Sequence, residues 1–231
     1  MDGHSVFRQE QKYIISRADA ARLRERLSLA LSPDSHSDGE YTVRSLYFDT
    51  PSDTDFFTKL AGTEKRRKIR LRTYGEKGSP IKLELKEKFG SLQKKTSIVI
   101  SESEGRELVS GNFRFLAKQG ADSAAEQLYA LLRSGVYRSK VLMEYSRTAF
   151  VHPLGDTRIT LDARLAKSEG NLDFFGDVPL VPVWGDNAVL EVKFSGRPPD
   201  FLSGLLSPFC LTQSAVSKYC NSRKIFCDFS Y

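Results

Sequence analysis

Apolar and polar residues alternate at a period of two over much of this chain, the signature of strands with one buried face. The clearest stretch runs from Lys65 to Lys88, KRRKIRLRTYGEKGSPIKLELKEK. Its first limb puts Lys68, Arg70, Arg72 and Tyr74 on one side, with Ile69 and Leu71 on the other. Its second limb puts Lys82, Glu84 and Lys86 opposite Ile81, Leu83 and Leu85. GEKGSP between them has the Gly, Ser and Pro content that closes a hairpin. Similar strands are predicted at Phe7–Ser16, Tyr41–Thr50, Leu92–Ile100, Val141–Val151, Thr157–Leu165 and Asn187–Phe194.

Helical spacing appears between these strands. Ser16 is placed to cap a helix from Arg17 to about Leu31, with Asp19 three residues on and Leu23, Leu27 and Leu31 as its apolar stripe. A short helical turn is expected at Thr54–Leu60. Ser101 and Glu104 form a capping box for a helix over Glu102–Ser110, and Leu128, Leu131 and Leu132 mark another within Ser123–Arg133. Residues Ser168–Asp186 read as irregular, Asp200–Leu206 as a short helix, and Ser214–Phe226 as a last one.

About eight strands against four or five helices, joined too directly for parallel crossovers, predict an α+β fold with an antiparallel sheet. Eight is also about the number of strands at which a sheet closes into a barrel. No internal repeat or low-complexity linker interrupts the pattern, so residues 1–231 are expected to form a single domain.

Composition narrows the setting. With 40% hydrophobic and 28% charged residues the chain can bury a sizeable core. No apolar run is long enough to span a membrane, and the N-terminus lacks a secretion signal. Three cysteines, Cys210, Cys220 and Cys227, show no CxxC spacing and fit reduced thiols, hence a cytoplasmic protein. The scattered His4, His36 and His152 do not suggest a histidine metal site. A net charge of +6 implies an anionic partner.

The charged faces of the strands are rich in bases: Arg8 and Lys12, Lys68, Arg70 and Arg72, Lys82 and Lys86, Lys94 or Lys95, Arg147, Arg158 and Arg164, and Lys193. Glu10, Glu84, Asp162 and Glu191 lie among them. One reading is a plain solvated face. The other is an enclosed lining, in which confined like charges need anions; polyphosphates and nucleoside triphosphates suit, with a divalent metal on the carboxylates.

The segments RQEQKY (Arg8–Tyr13), VRSLYFDT (Val43–Thr50), KIRLRTYG (Lys68–Gly75), LELKEK (Leu83–Lys88), EYSRTAF (Glu144–Phe150), RITLDARL (Arg158–Leu165), LEVKF (Leu190–Phe194) and VSKYC (Val216–Cys220) span nearly the whole chain. In this order they resemble the catalytic domain of the vacuolar transporter chaperone (VTC) polyphosphate polymerases, in the triphosphate tunnel metalloenzyme superfamily, also called CYTH-like. The resemblance implies an eight-stranded antiparallel β-barrel, a triphosphate tunnel, with helices packed outside. It implies that Lys12, Arg70, Arg72, Lys86, Arg147 and Arg158 hold the triphosphate, together with Lys94 or Lys95. It further implies Glu191 as metal ligand for Mn²⁺ or Mg²⁺, Glu10 as a carboxylate that binds metal or orients a base, and Lys218 closing over the phosphates. Cyclase and triphosphatase relatives carry E-x-E-x-K on the first strand. Here Arg8 gives R-x-E-x-K, which favours the polymerase branch. Eukaryotic members add an SPX domain and membrane helices, which these residues lack.

The expected activity is therefore metal-dependent phosphoryl transfer, polyphosphate synthesis from ATP, with Arg70, Arg72, Glu10 and Lys218 in catalytic roles. The alternatives are a tripolyphosphatase or nucleoside triphosphatase, and a non-catalytic polyphosphate- or nucleotide-binding module. ATP and polyphosphate are the expected partners, and a membrane protein receiving the polymer stays open. Nucleic acid is disfavoured, because aromatics placed for base stacking are not evident. Among individual residues, Lys65, Arg66 and Arg67 read as a solvated strand start, Tyr47, Phe48 and Phe150 as core, and Cys220 and Cys227 as buried thiols on one helix face.

Overall fold

The computed structural model describes residues 8–34, 39–75, 79–90, 92–119 and 123–224. His4, His36 and Cys227 lie outside these residues, and so does the expected placement of Cys220 and Cys227 on one helix face. Of the other two thiols, Cys220 is buried and Cys210 exposed. No described helix is long and apolar enough to cross a membrane.

The elements run β1 (Arg8–Ser16), α1 (Arg17–Ala30), β2 (Ser32–Pro33), β3 (Glu40–Asp49), α2 (Thr54–Leu60), β4 (Lys65–Tyr74), β5 (Ile81–Phe89) and β6 (Leu92–Ile100). Then follow α3 (Glu102–Val109), α4 (Ala124–Ser134), β7 (Arg138–His152), β8 (Thr157–Ser168), β9 (Val181–Pro182), β10 (Asn187–Ser195), α5 (Asp200–Leu206) and α6 (Lys218–Lys224). The fold is α+β. Eight long strands pair in the order β1-β10-β8-β7-β3-β4-β5-β6, and the two-residue strands β2 and β9 attach to β7 and β8. The chain divides into two compact units, one of residues up to Thr42 with Tyr145–Leu165 and Trp184–Ser217, the other of Val43–Glu144, Ala166–Val183 and the chain from Lys218.

In the first unit, β1 and β10 pair antiparallel, with Glu10 opposite Lys193 and Lys12 opposite Glu191. Antiparallel β8 continues this, placing Arg158 opposite Lys193 and Thr160 opposite Glu191. The alternate residues Ile159, Leu161, Leu190, Val192 and Phe194 pack with Leu23 and Leu27 of α1 and Leu202 of α5. Ser16 caps α1 by accepting the Asp19 N–H at 2.9 Å. Leu23 and Leu27 are fully buried, each contributing about 1.5–3 kcal/mol through lost apolar surface.

In the second unit, β4, β5 and β6 form an antiparallel meander. Leu46, Phe48, Ile69, Leu71, Leu83 and Leu85 share one core with Leu108 of α3 and Leu128 and Leu132 of α4. Helix α3 starts at the expected capping box, with Ser101 and Glu104 bonded reciprocally. Apolar residues of the sheet thus face helices, and the opposite face carries the charges.

Two expectations need correction. Arg164 does not follow Arg158 and Asp162, because its backbone is left-handed (φ 55°) and breaks the alternation locally. Its guanidinium pairs instead with Glu40, beside α1. The last helix begins at Lys218 rather than Ser214. Ser214 donates its N–H to the Lys12 carbonyl at 2.8 Å, and Gln213 bridges to Tyr13, so this segment is extended against β1.

Candidate functional site

The polar face of the second unit is ordered in rows by strand register. Lys68 lies opposite Lys86, and Lys86 opposite Lys95, so three lysines stand side by side across β4, β5 and β6. The next row is Tyr47, Arg70, Glu84 and Ser97. The row beyond is Ser45, Arg72, Lys82 and Val99. This register places Lys95 on the Glu84 face and Lys94, opposite Glu87, on the other.

Glu84 is the anionic centre of these rows. Its carboxylate meets Arg70 Nε at 2.7 Å, Lys95 Nζ at 2.5 Å and Arg72 Nη1 at 3.6 Å. Burial pushes the carboxyl up, but the Arg70 and Arg72 charges and the Lys95 hydrogen bond outweigh it and bring it down to about 2. Arg72 also donates to Ser45 Oγ at 3.3 Å and to the Tyr74 hydroxyl at 3.0 Å, and its side chain is only 8% exposed. The guanidiniums are held in place before any ligand arrives.

Tyr47 is a member of this site that the sequence reading assigned to the core. It is buried, but its hydroxyl accepts from Arg70 Nη1 at 3.0 Å, and Lys68 and Arg70 lie over its ring at 5.8 Å. Burial disfavours the phenolate, yet Arg70, Lys68 and Arg72 outweigh it and lower the phenol to about 7. Its ring stacks on Tyr219 of α6 at 5.1 Å, and the Tyr219 hydroxyl donates to Asp49 at 2.6 Å. The folded phenol ionises more readily than the unfolded one. Its contribution to stability is therefore present above about pH 10 and lost as the pH falls through about 7. Ultraviolet titration should show one tyrosine ionising near pH 7 that Tyr47→Phe removes; a first ionisation only near about 10 would contradict this.

Lys218 opens α6, directly before the anchored Tyr219, and is partly buried. Lys86 is exposed.

The first unit has its own charged cluster. Lys12 contacts Glu10 and, at 3.4 Å, Glu191; Lys193 contacts Glu191 and, at 3.7 Å, Glu10. Two carboxylates and two ammoniums thus interlock across β1 and β10. Burial pulls the Lys12 ammonium down, but Glu191 and Glu10 together raise it above its ordinary value. On the neighbouring strands Arg147 donates Nε and Nη2 to the two oxygens of fully buried Asp162, at 2.6 and 2.7 Å. Arg147 also lies 5.4 Å over the Tyr145 ring. Arg158 meets buried Asp34 at 2.6 Å. Asp162 and Glu84 are thus engaged in orienting arginines, whereas Glu10 and Glu191 are engaged by lysines.

The structure therefore brings Arg70, Arg72 and Lys95 onto one carboxylate, with Lys86 beside Lys95. Separately it gathers Glu10, Lys12 and Glu191, and holds Arg147 and Arg158 on carboxylates of their own. Lys193 and Asp34 are the partners missing from the sequence-based site. Lys193 was readable from its alternation with Glu191, whereas Asp34 sits in a polar loop that gave no signal.

Solved structures share this architecture. A putative adenylyl cyclase from Hippeastrum, reported with a dominant triphosphatase activity, matches with a TM-score of 0.57 at 16% identity, covering 94% of this chain and 96% of that one. A putative adenylate cyclase from Bacillus halodurans matches with a TM-score of 0.54 at 17% identity, over 96% of both chains. A chain of the Schizosaccharomyces pombe Mediator head module matches with a TM-score of 0.54 at 10% identity, over 89% of this chain and 97% of that one. These likenesses show a shared fold, the α+β arrangement built on the eight-stranded antiparallel sheet described above. The sequence itself matches the VTC domain model over residues 7–227, and the chain belongs to the VTC domain family. No curated protein matches it.

Proposed function

We propose that this chain transfers phosphoryl groups on triphosphate or polyphosphate substrates, and that its reaction is polyphosphate synthesis from ATP. The observation that carries the reading is the row Lys68, Lys86 and Lys95 beside Arg70 and Arg72. Like charges directly opposite one another on a sheet are destabilising. A polyanion laid along the row relieves that repulsion. Membership of the VTC family favours polyphosphate as that anion.

In this account Arg70, Arg72, Lys86 and Lys95 hold phosphate oxygens, as do Lys12, Arg147 and Arg158, each group considered within its own unit, and Lys218 adds a mobile charge. Phosphoryl transfer asks chiefly for alignment and charge neutralisation. The γ-phosphorus forms a bond to a terminal oxygen of the acceptor chain as its bond to the β-phosphate bridging oxygen breaks, releasing ADP. Arginines already fixed by Glu84 and Asp162 meet the developing charge without reorganising. Because Asp162 takes Nε–H and one Nη2–H of Arg147, the two Nη1 hydrogens and the second Nη2 hydrogen are the donors left to meet a phosphate.

Glu191, with Glu10 beside the same lysines, fits a hard divalent cation that takes its remaining ligands from phosphate and water. Among the described residues no group of three or more His, Cys, Asp or Glu gathers as a metal cage, so a cation at Glu191 would have to take its other ligands from substrate and water. Mn²⁺ or Mg²⁺ bound there would neutralise phosphate charge during transfer. Glu191→Ala is expected to abolish the metal requirement together with most activity, by about 10²–10³-fold. Full activity and an unchanged metal titration in that variant would remove Glu191 from the role.

The reported triphosphatase activity of the Hippeastrum neighbour favours a second reading, with water as acceptor. The Mediator neighbour shows that the fold also occurs within a multiprotein assembly. Product analysis separates the readings. Polymer supports synthesis, orthophosphate alone supports hydrolysis, and binding without turnover supports a sensor module.

A further inference from the structure

We propose that the β5–β6 hairpin tip and α2 form a docking surface for an anionic lipid membrane. Phe89 ends β5 and Leu92 begins β6, and the two are paired across the hairpin. Their side chains are 62% and 64% exposed. Hairpin connections ordinarily carry polar residues, Gly and Asn above all, so two large apolar groups at one tip are unusual. Helix α2 adjoins the tip through Thr54, Asp55 and Thr58, which line the same depression as Phe89 and Leu92.

Bases surround this tip. Lys65 lies opposite Phe89 and Arg66 opposite Lys88, while Lys94 lies opposite Glu87. Arg67 is tied to Asp55, but among the described residues no ion pair engages Lys65, Arg66, Lys88 or Lys94. These four line a depression of about 430 Å³ together with Phe89 and Leu92. Arg67, Asp55 and Glu87 also reach it, so five cations face two carboxylates. The basic run at Lys65–Arg67, which reads from sequence as a mere solvated strand start, is thus half of a composite surface.

The combination selects the occupant. A soluble polyanion would use the cations and leave Phe89 and Leu92 in water. An apolar partner helix would cover Phe89 and Leu92 and leave the cations unmatched. An anionic bilayer meets both demands, with headgroup phosphates at the depression and the two apolar side chains at the boundary with the acyl chains. Phe89, Leu92 and Lys94 share the strand face of Leu83 and Leu85, opposite the Arg70–Glu84 face. Arg66 and Lys88 alternate onto the Arg70–Glu84 face, at its hairpin end, so the cations of this surface come from both faces.

The test is cosedimentation of the full chain with vesicles of phosphatidylcholine alone and of phosphatidylcholine mixed with phosphatidylglycerol. Binding is expected only to the mixed vesicles and should weaken with salt. Phe89→Asp with Leu92→Asp, and separately Lys65→Glu with Arg66→Glu, should each lower partitioning by about tenfold or more. Phe89→Ser with Leu92→Ser provides the same reading with a smaller perturbation, and the melting temperature confirms folding. Absence of binding to mixed vesicles overturns the proposal. So does binding that survives both apolar replacements, which would leave an anion site without a membrane. These outcomes do not depend on whether the chain turns over a triphosphate, so they stand or fall apart from the proposed reaction.

Discussion

Glu84→Ala is expected to lower the stability of the protein by about 3–5 kcal/mol, because it removes one partner from a buried ion cluster. Three cations meet this carboxylate, and Arg72, the most buried of them, would be left with only neutral hydroxyl acceptors. Glu84→Gln keeps the volume and an acceptor oxygen, so it should cost less and separate loss of charge from loss of packing. Urea denaturation measures both, and a loss below about 1 kcal/mol for the alanine variant would place Glu84 among ordinary surface pairs. The dependence on pH has a definite sign. The folded carboxyl ionises more readily than the unfolded one, at about 2 against an ordinary 4.5. Its contribution is therefore complete above about 4.5 and lost as the pH falls through about 2. Wild-type protein should lose stability across that window, and Glu84→Gln should lose less.

Arg70→Ala is expected to reduce kcat/KM by about 10²–10³-fold, the cost of deleting one preorganised donor to a developing negative charge. Arg70 meets Glu84 through Nε and Tyr47 through Nη1, so its plane is fixed on two edges. Arg70→Lys retains the charge but not that two-edged hold, and should recover only a small part of the rate. Melting curves distinguish a folded, slow enzyme from an unfolded one. A folded Arg70→Ala variant with unchanged kcat/KM would remove this arginine from the reaction.

The strands were legible because one face of each is apolar and the other charged, from Ile69 and Leu71 against Arg70 and Arg72 to Leu190 and Val192 against Glu191 and Lys193. Capping chemistry likewise marked the starts of α1 and α3, where Ser16 and Ser101 accept the expected N–H groups. Register was not legible from one strand at a time. Only pairing with β5 puts Lys95, rather than Lys94, beside Lys86. Arg164 escaped for a backbone reason, since a single left-handed residue redirects a side chain that alternation assigns to the other face. Tyr47 escaped because an aromatic in a strand rich in Leu and Phe reads as core, and burial alone does not contradict that. Tyr47 is indeed buried, and its hydroxyl on Arg70 adds a polar role that the pattern does not encode. The start of α6 depended on a tertiary hydrogen bond, Ser214 to Lys12, that local propensity does not encode.

The Lys65–Lys88 hairpin shows how these layers combine. Its alternation gives two faces, its register sets Lys68 beside Lys86 and Arg70 beside Glu84 on one of them, and its open end supplies Lys65, Arg66 and Lys88 to the depression next to Phe89.

The central claim is tested by incubating the pure chain with ATP and Mn²⁺ or Mg²⁺, then resolving the products by electrophoresis beside an assay for free phosphate. The account predicts a ladder of polyphosphate with equimolar ADP per phosphoryl added, lost on chelation of the metal. Orthophosphate without polymer, or no consumption of ATP, would contradict it.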